Sequence, residues 1–166
     1  MSTPSAGRRD DALVGALFVA GQFLLLALIV FLPGGTAWAL PTWAVRTLDV
    51  LALAGLVLVV VGALGLGRGL TAMPLPNEHA RLRTGGLYRW VRHPIYSGLL
   101  LFALCRTVVS GSLHTAAAFA LLAILLTAKA RWEESRLVER FPDYPDYASR
   151  TGRFVPRLSG GGARPR

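Results

Sequence analysis

Cross-linking chemistry is closed to this chain, because it carries one cysteine, Cys105, set inside an apolar run where it reads as a packing residue. Lysine is nearly missing: one stands against seventeen arginines, which hints at a GC-rich bacterial genome. Charged residues of both signs reach only 16% of the chain, too few to clothe a soluble domain. The three histidines, His79, His93 and His114, have no zinc-ligand spacing, and no metal site is expected. No Gly-x-Ser-x-Gly elbow is present and the C-terminus is not a prenylation signal. A disulfide-stapled secreted domain and a serine hydrolase are thereby set aside.

Apolar residues, by contrast, make up 53% of the 166 and come in four blocks, which indicates an all-α polytopic membrane bundle. The first block, Ala12–Leu32, has 21 residues, about 31 Å of helix, enough for a bilayer core. It is too long for a cleaved signal core, although Arg8-Arg9 precedes it and Ala37-Trp38-Ala39 follows. The second runs from about Val45 to Leu66, with Gly55, Gly62 and Gly65 offering small surfaces for helix contact. Arg46 and Asp49 are spaced to pair in its first turns. Gly65-Leu66-Gly67-Arg68-Gly69 follows no strand, so it reads as a flexible exit rather than a nucleotide loop. Met73-Pro74-Leu75-Pro76-Asn77 cannot be regular helix. The third block, Ile95–Val109, is short and spans only if residues from about Trp90 join it at the interface. Ser110-Gly111-Ser112 predicts a tight turn into the fourth, Leu113–Ala128, which continues as helix to Arg140 until Pro142 and Pro145 end it.

The net charge of +9 does not point to nucleic acid, because of where the charges fall. Two basic residues precede the first block, five lie between Arg68 and Arg92, and nine follow from Lys129. Only Arg46 and Arg106 remain, the latter expected to snorkel to water. This is the positive-inside pattern of four transmembrane helices with both termini cytoplasmic. Membrane lipid is the expected partner of the basic segments.

Between the second and third blocks the stretch from Leu82 to Gly98 is basic and aromatic at once. Pro94 suits the first turn of a helix, which puts His93 at its N-cap with Arg92 and Tyr96 beside the helix start. A helix N-terminus attracts anions, and an arginine can add a bidentate grip. Folding blocks three and four into a hairpin about Gly111 brings Glu133 and Glu134 to the depth of Arg92 and His93. Singly these are headgroup anchors, a cap and a solvated face. Together, an anion site facing acidic groups suits a zwitterionic ligand.

Leu-x-Thr-x-Gly-x-Tyr (Leu82–Tyr88), Arg-His-Pro-x-Tyr-x-Gly (Arg92–Gly98) and Glu133-Glu134-x-x-Leu137 resemble the isoprenylcysteine carboxyl methyltransferases and their bacterial relatives. Phe141-x-x-Tyr144-x-x-Tyr147 and Arg153-Phe154-x-Pro156 fit as well, so the likeness covers roughly residues 70–157. Pro142 replaces the glycine common after that phenylalanine, and some relatives have five or more spans. The resemblance implies S-adenosylmethionine as methyl donor and a lipophilic small molecule or lipid as acceptor. It implies catalytic roles for Arg92, Glu133 and Glu134, with Leu82, Thr84, Gly86, Tyr88, Arg92, His93, Tyr96, Glu133 and Glu134 around the cofactor. Physically, the helix start and Arg92 would hold the cofactor carboxylate, and a glutamate its ammonium or ribose. Phospholipid N-methylation is the neighbouring alternative, and a steroid-reductase-type NADPH enzyme or a non-catalytic scaffold the more distant ones. The chain accordingly divides into a loose polar segment 1–11, a helix pair 12–66, a catalytic region 67–157 and a disordered tail 158–166. A bacterial inner-membrane enzyme with its site facing the cytoplasm is expected.

Overall fold

A computed structural model describes residues 4–66 and 82–157, with side chains from residue 10 onward. Gly65 and Leu66 of the glycine exit end α2, while the rest of that exit, the proline-rich stretch and the C-terminal tail fall outside the described residues. Within them the chain is all helix: α1 (Pro4–Phe31), α2 (Thr42–Leu66), a 3-10 turn (Gly86–Arg89), α3 (Pro94–Ser110), α4 (Leu113–Arg140) and α5 (Tyr144–Arg150). No strand occurs among the described residues, only one isolated parallel bridge between Val91 and Gly152.

Three of these helices, α1 from Asp10, α2 and α4, are long and apolar enough to cross a membrane. The fourth apolar helix, α3, has 17 residues and is about 26 Å long, short of a bilayer core. It gains no length from Trp90 onward. Proline removes the amide donor at position 94, His93 is the N-cap, and the residues before it pair with the segment after α5 instead. Helix α1 begins at Pro4, so the polar start expected to be loose is helical, and Asp11 is anchored by Arg136 of α4 at 2.5 Å. Helix α4 runs unbroken through its polar continuation, about 42 Å in all.

Helices α2 and α3 lie antiparallel in close contact. A side chain on Gly55 or Gly98 would collide with the other helix's backbone, and Gly62 lies against Pro94 and Ile95. Such small-residue crossings let backbones approach where lipid offers no hydrophobic drive. That register brings Asp49 to Arg106 at 3.8 Å, so the Arg46–Asp49 pairing expected from local spacing gives way to a pair between helices. Helix α1 packs along α4, and Ile29, Ala103, Ala118, Leu122 and Leu126 form the core where α1, α3 and α4 meet. At the far end Gly111 takes a left-handed conformation (φ 59°) that caps α3, as glycine does readily. The α1–α2 connection clasps this turn: Gly35 N donates to Ser110 O, Ala37 N to Gly111 O and Trp38 Nε1 to Val108 O. Outward faces of α1 and α2 leave Phe23, Leu24, Val50 and Leu64 exposed, as lipid-facing helices do.

Candidate active site at the polar end of the hairpin

The loop before α3 is held from both sides. Tyr88, in the 3-10 turn, donates its hydroxyl to Gly62 O of α2 at 3.1 Å and packs on Gly65, while its own carbonyl accepts from Tyr147 of α5 at 2.6 Å. Burial, then the charges of Tyr147 and Glu133, push the Tyr88 phenol up to about 12. Tyr144 and Tyr147 are likewise raised, by burial first. After α5 the chain doubles back: Arg92 N donates to Gly152 O, Gly152 N to Trp90 O and His93 N to Arg153 O. Only glycine fits at 152, where a Cβ would strike Val155 O. Ser97 Oγ adds a bond to Phe154 O at 2.6 Å, so residues 151–154 form a strap across the start of α3.

Under this strap the charged residues meet. Arg92, 10% exposed, donates through Nε to Glu134 Oε1 at 3.0 Å and through Nη1 to the carbonyls of Ala148 and Thr151. Arg153 holds the same carboxylate in a fork, Nε to Oε1 at 3.0 Å and Nη2 to Oε2 at 2.7 Å. That hydrogen bond raises the guanidinium above its ordinary value, outweighing the partial burial that pulls it down. His93 lies between the acidic pair, Nε2 at 3.2 Å from Glu134 Oε1 and Nδ1 at 3.5 Å from Glu133 Oε2. Tyr96 donates to Glu133 Oε1 at 2.6 Å and stacks its ring parallel to His93, centroids 5.3 Å apart. Adjacent glutamates point about 100° apart on a helix, and the imidazole spans that angle by meeting one with each nitrogen.

The cluster thus joins Arg92, His93, Tyr96, Glu133 and Glu134, whose depths along the hairpin were legible from distance to Gly111. Thr84 and Gly86 are exposed and Leu82 half-buried. Among the described residues none of the three makes a side-chain hydrogen bond to the cluster. Arg92 is committed to Glu134 and two carbonyls, which makes it the strap's anchor. Glu133 carries the fewer bonds and is the freer carboxylate for a ligand. Sequence reasoning gave no place to Arg153 or Gln22. Arg153 was noted only within a resemblance. Gln22 is the one side chain able to hydrogen-bond in the first apolar run, a signal of its own. Its Oε1 accepts from Lys129 Nζ at 3.0 Å. Among the described residues no group of three or more His, Cys, Asp or Glu side chains could hold a metal ion. A separate open groove of about 400 Å³ runs along the outer face of α4, from Ala123 to Arg131, and none of the cluster lines it.

An alternation of donors (Arg153, His93, Tyr96) and carboxylates (Glu133, Glu134) beside stacked rings fits a zwitterion bearing a flat base.

Residues 44–139 match the family model of the isoprenylcysteine carboxyl methyltransferases. The chain is 33% identical over 147 residues to the cobalt-zinc-cadmium resistance protein CzcN of Cupriavidus metallidurans, covering 88% of this chain and 64% of that one. It is 31% identical, over 88% of this chain and 65% of the other, to the nickel-cobalt-cadmium resistance protein NccN of Alcaligenes xylosoxydans. An uncharacterized Schizosaccharomyces pombe protein is 34% identical over 103 residues. The chain therefore spans just under two thirds of the first two relatives' length.

Proposed function

This chain belongs to the isoprenylcysteine carboxyl methyltransferase family, and from that premise we propose that it is an integral-membrane methyltransferase, dependent on S-adenosylmethionine, that methylates a lipophilic acceptor resembling an isoprenylcysteine carboxylate. The observation that carries the reading is the meeting of Arg92, His93, Tyr96 and Glu133–Glu134 in one cluster at the polar end of α3 and α4. In this reading α3 crosses the membrane with the other three, both termini are cytoplasmic, and the site faces the cytoplasm of a bacterial inner membrane.

Bound there, S-adenosylmethionine supplies an electrophilic methyl group. The protein's share is positioning, the main source of rate where little covalent help is needed. Glu133, with Oε1 fixed by Tyr96 and Oε2 met only loosely by His93, would hold a cationic group of the cofactor. Arg153, which spends only Nε and Nη2 on Glu134, would offer its Nη1 donors to the cofactor's carboxylate, and the His93–Tyr96 stack and Phe154 would give flat surfaces to the base. Glu134 keeps Arg92, Arg153 and His93 in register, and the strap limits water, which strengthens every charge interaction beneath it. A carboxylate acceptor needs no base. An amine acceptor would, and Glu133 is the carboxylate free to serve.

Calorimetry on the purified protein in detergent tests this. S-adenosylmethionine is expected to bind, and Glu133→Gln to weaken it about tenfold or more, the loss of one charge-assisted bond. Tight NADPH binding without S-adenosylmethionine binding would overturn the reading in favour of a reductase. Transfer of labelled methyl to phosphatidylethanolamine but not to a prenylcysteine would move the acceptor to phospholipid.

A further inference from the structure

One turn of α4 deeper than Glu133 lies a buried ammonium that none of the roles above uses. Lys129 is only 4% exposed. Its Nζ donates to Gln22 Oε1 of α1 at 3.0 Å and stands 5.1 Å from the centre of the Tyr96 ring. A lysine ammonium has three N–H donors, and an amide oxygen and a ring face give it no negative charge. Among the described residues no carboxylate lies within 4.0 Å of it. Glu133, one turn away, attracts the ammonium only at longer range and turns its oxygens to Tyr96 and His93. On the membrane side the neighbouring turns carry Leu122 and Leu126, both fully buried. A charge at such depth is costly unless an anion meets it. An alkyl side chain would pack there without that cost.

We propose that Lys129, oriented by Gln22, receives the anionic end of the lipophilic acceptor: an oxyanion, such as a carboxylate, at the tip of an apolar chain. The identity of this ligand as the acceptor rests on the methyltransferase reading. An apolar chain lying along the seam of α1 and α4, where Leu25 and Leu125 are only half-buried, ends its hydrophobic course near Lys129, the first charged group it meets. A zwitterionic cofactor arriving from the polar end meets Glu133, His93 and Arg153 first. The two ligands therefore approach Tyr96 from opposite sides, each toward charge of the opposite sign. Lys129 repels a cationic amine acceptor and so acts as a specificity determinant, while Gln22 is a positioning residue contributed from outside the family-matched stretch.

The test uses the whole chain in nanodiscs of phosphatidylcholine with labelled N-acetyl-farnesylcysteine as probe. Displacement is measured with the unlabelled carboxylate, with its carboxamide and with phosphatidylglycerol. Wild type is expected to prefer carboxylate to carboxamide by about tenfold or more. Lys129→Met should reduce that preference to about twofold or less, and Lys129→Arg should restore it. Gln22→Leu should fall between, with S-adenosylmethionine affinity unchanged throughout. A wild type without the preference, or a Lys129→Met protein that keeps it, would overturn the assignment. Displacement by phosphatidylglycerol as effective as by the carboxylate would give the site to bilayer headgroups and overturn it equally. Preference intact in a protein that does not bind S-adenosylmethionine would support the anion site and sink the methyltransferase reading instead.

Discussion

Glu134 divides its two oxygens among Arg92, Arg153 and His93, whereas Glu133, one residue earlier, faces a phenol and the far side of the same imidazole. Neighbours in sequence, they do different work. Removing Glu134 leaves two guanidiniums facing each other under the strap, and breaking a buried pair from one side costs about 3–5 kcal/mol. Removing the charge of Glu133 leaves Tyr96 able to bond an amide oxygen, so the fold should hardly notice. Glu134→Ala is therefore expected to lower the unfolding temperature by roughly 8 °C or more, and Glu133→Gln by no more than about 2 °C. Tryptophan fluorescence during heating reads both. Equal losses in the two variants would refute this division. That the pair lies at the depth of Arg92 was legible from distances counted to Gly111. Which glutamate the arginines take was not, because Arg153 arrives from a segment that only folding brings back.

Elements that depend on chain neighbours alone came through in the sequence. Pro94 behind His93 opens α3, Gly111 turns the hairpin, and the apolar run from Leu113 passes into a charged helix without a breaker. Helix α5 did not, because Pro142 and Pro145 read as terminators, yet proline is equally at home in a first turn, where Pro145 stands. The Asp49–Arg106 and Gln22–Lys129 pairs required knowing which helices touch. Glycine shows where two helices touch most closely. Gly98, read in the sequence as part of a ligand motif, faces Gly55 across the α2–α3 crossing, and a methyl group there meets backbone. Gly85 has nothing within 4 Å of a built Cβ and an ordinary φ of −100°. Gly98→Ala should thus cost about 1–3 kcal/mol, and Gly85→Ala within about 0.5 kcal/mol. Denaturant titration in detergent measures both, and a tolerated Gly98→Ala would mean the crossing is looser than described.

Charge orders the molecule from end to end. Of the twelve basic side chains described, ten sit at the end holding the cluster, and only Arg46 and Arg106 sit at the turn end, where Asp49 neutralises part of their charge. Basic residues resist export across a bacterial inner membrane, so the crowded end should stay inside. Depth agrees: the surplus length of α4 beyond a bilayer core lies at its C-terminal end, where Lys129 to Arg140 include seven charged residues. The α1–α2 connection and the Gly111 turn share the opposite end, clasped by Trp38 and Gly35. An even number of crossings follows only if the short α3 spans too, which it can do by local thinning of the bilayer at a modest cost per ångström. Thiol labelling decides the matter, because Cys105 is buried in the bundle and gives little background. In intact cells a membrane-impermeant maleimide is expected to label Ala39→Cys, and to reach Asp146→Cys only after permeabilisation. Both positions are exposed, so failure to label reports the membrane rather than burial. Labelling of Asp146→Cys from outside would invert the topology and remove the cytoplasmic cofactor from reach of the cluster. Labelling of the two positions on the same side would show that α3 and α4 do not both cross.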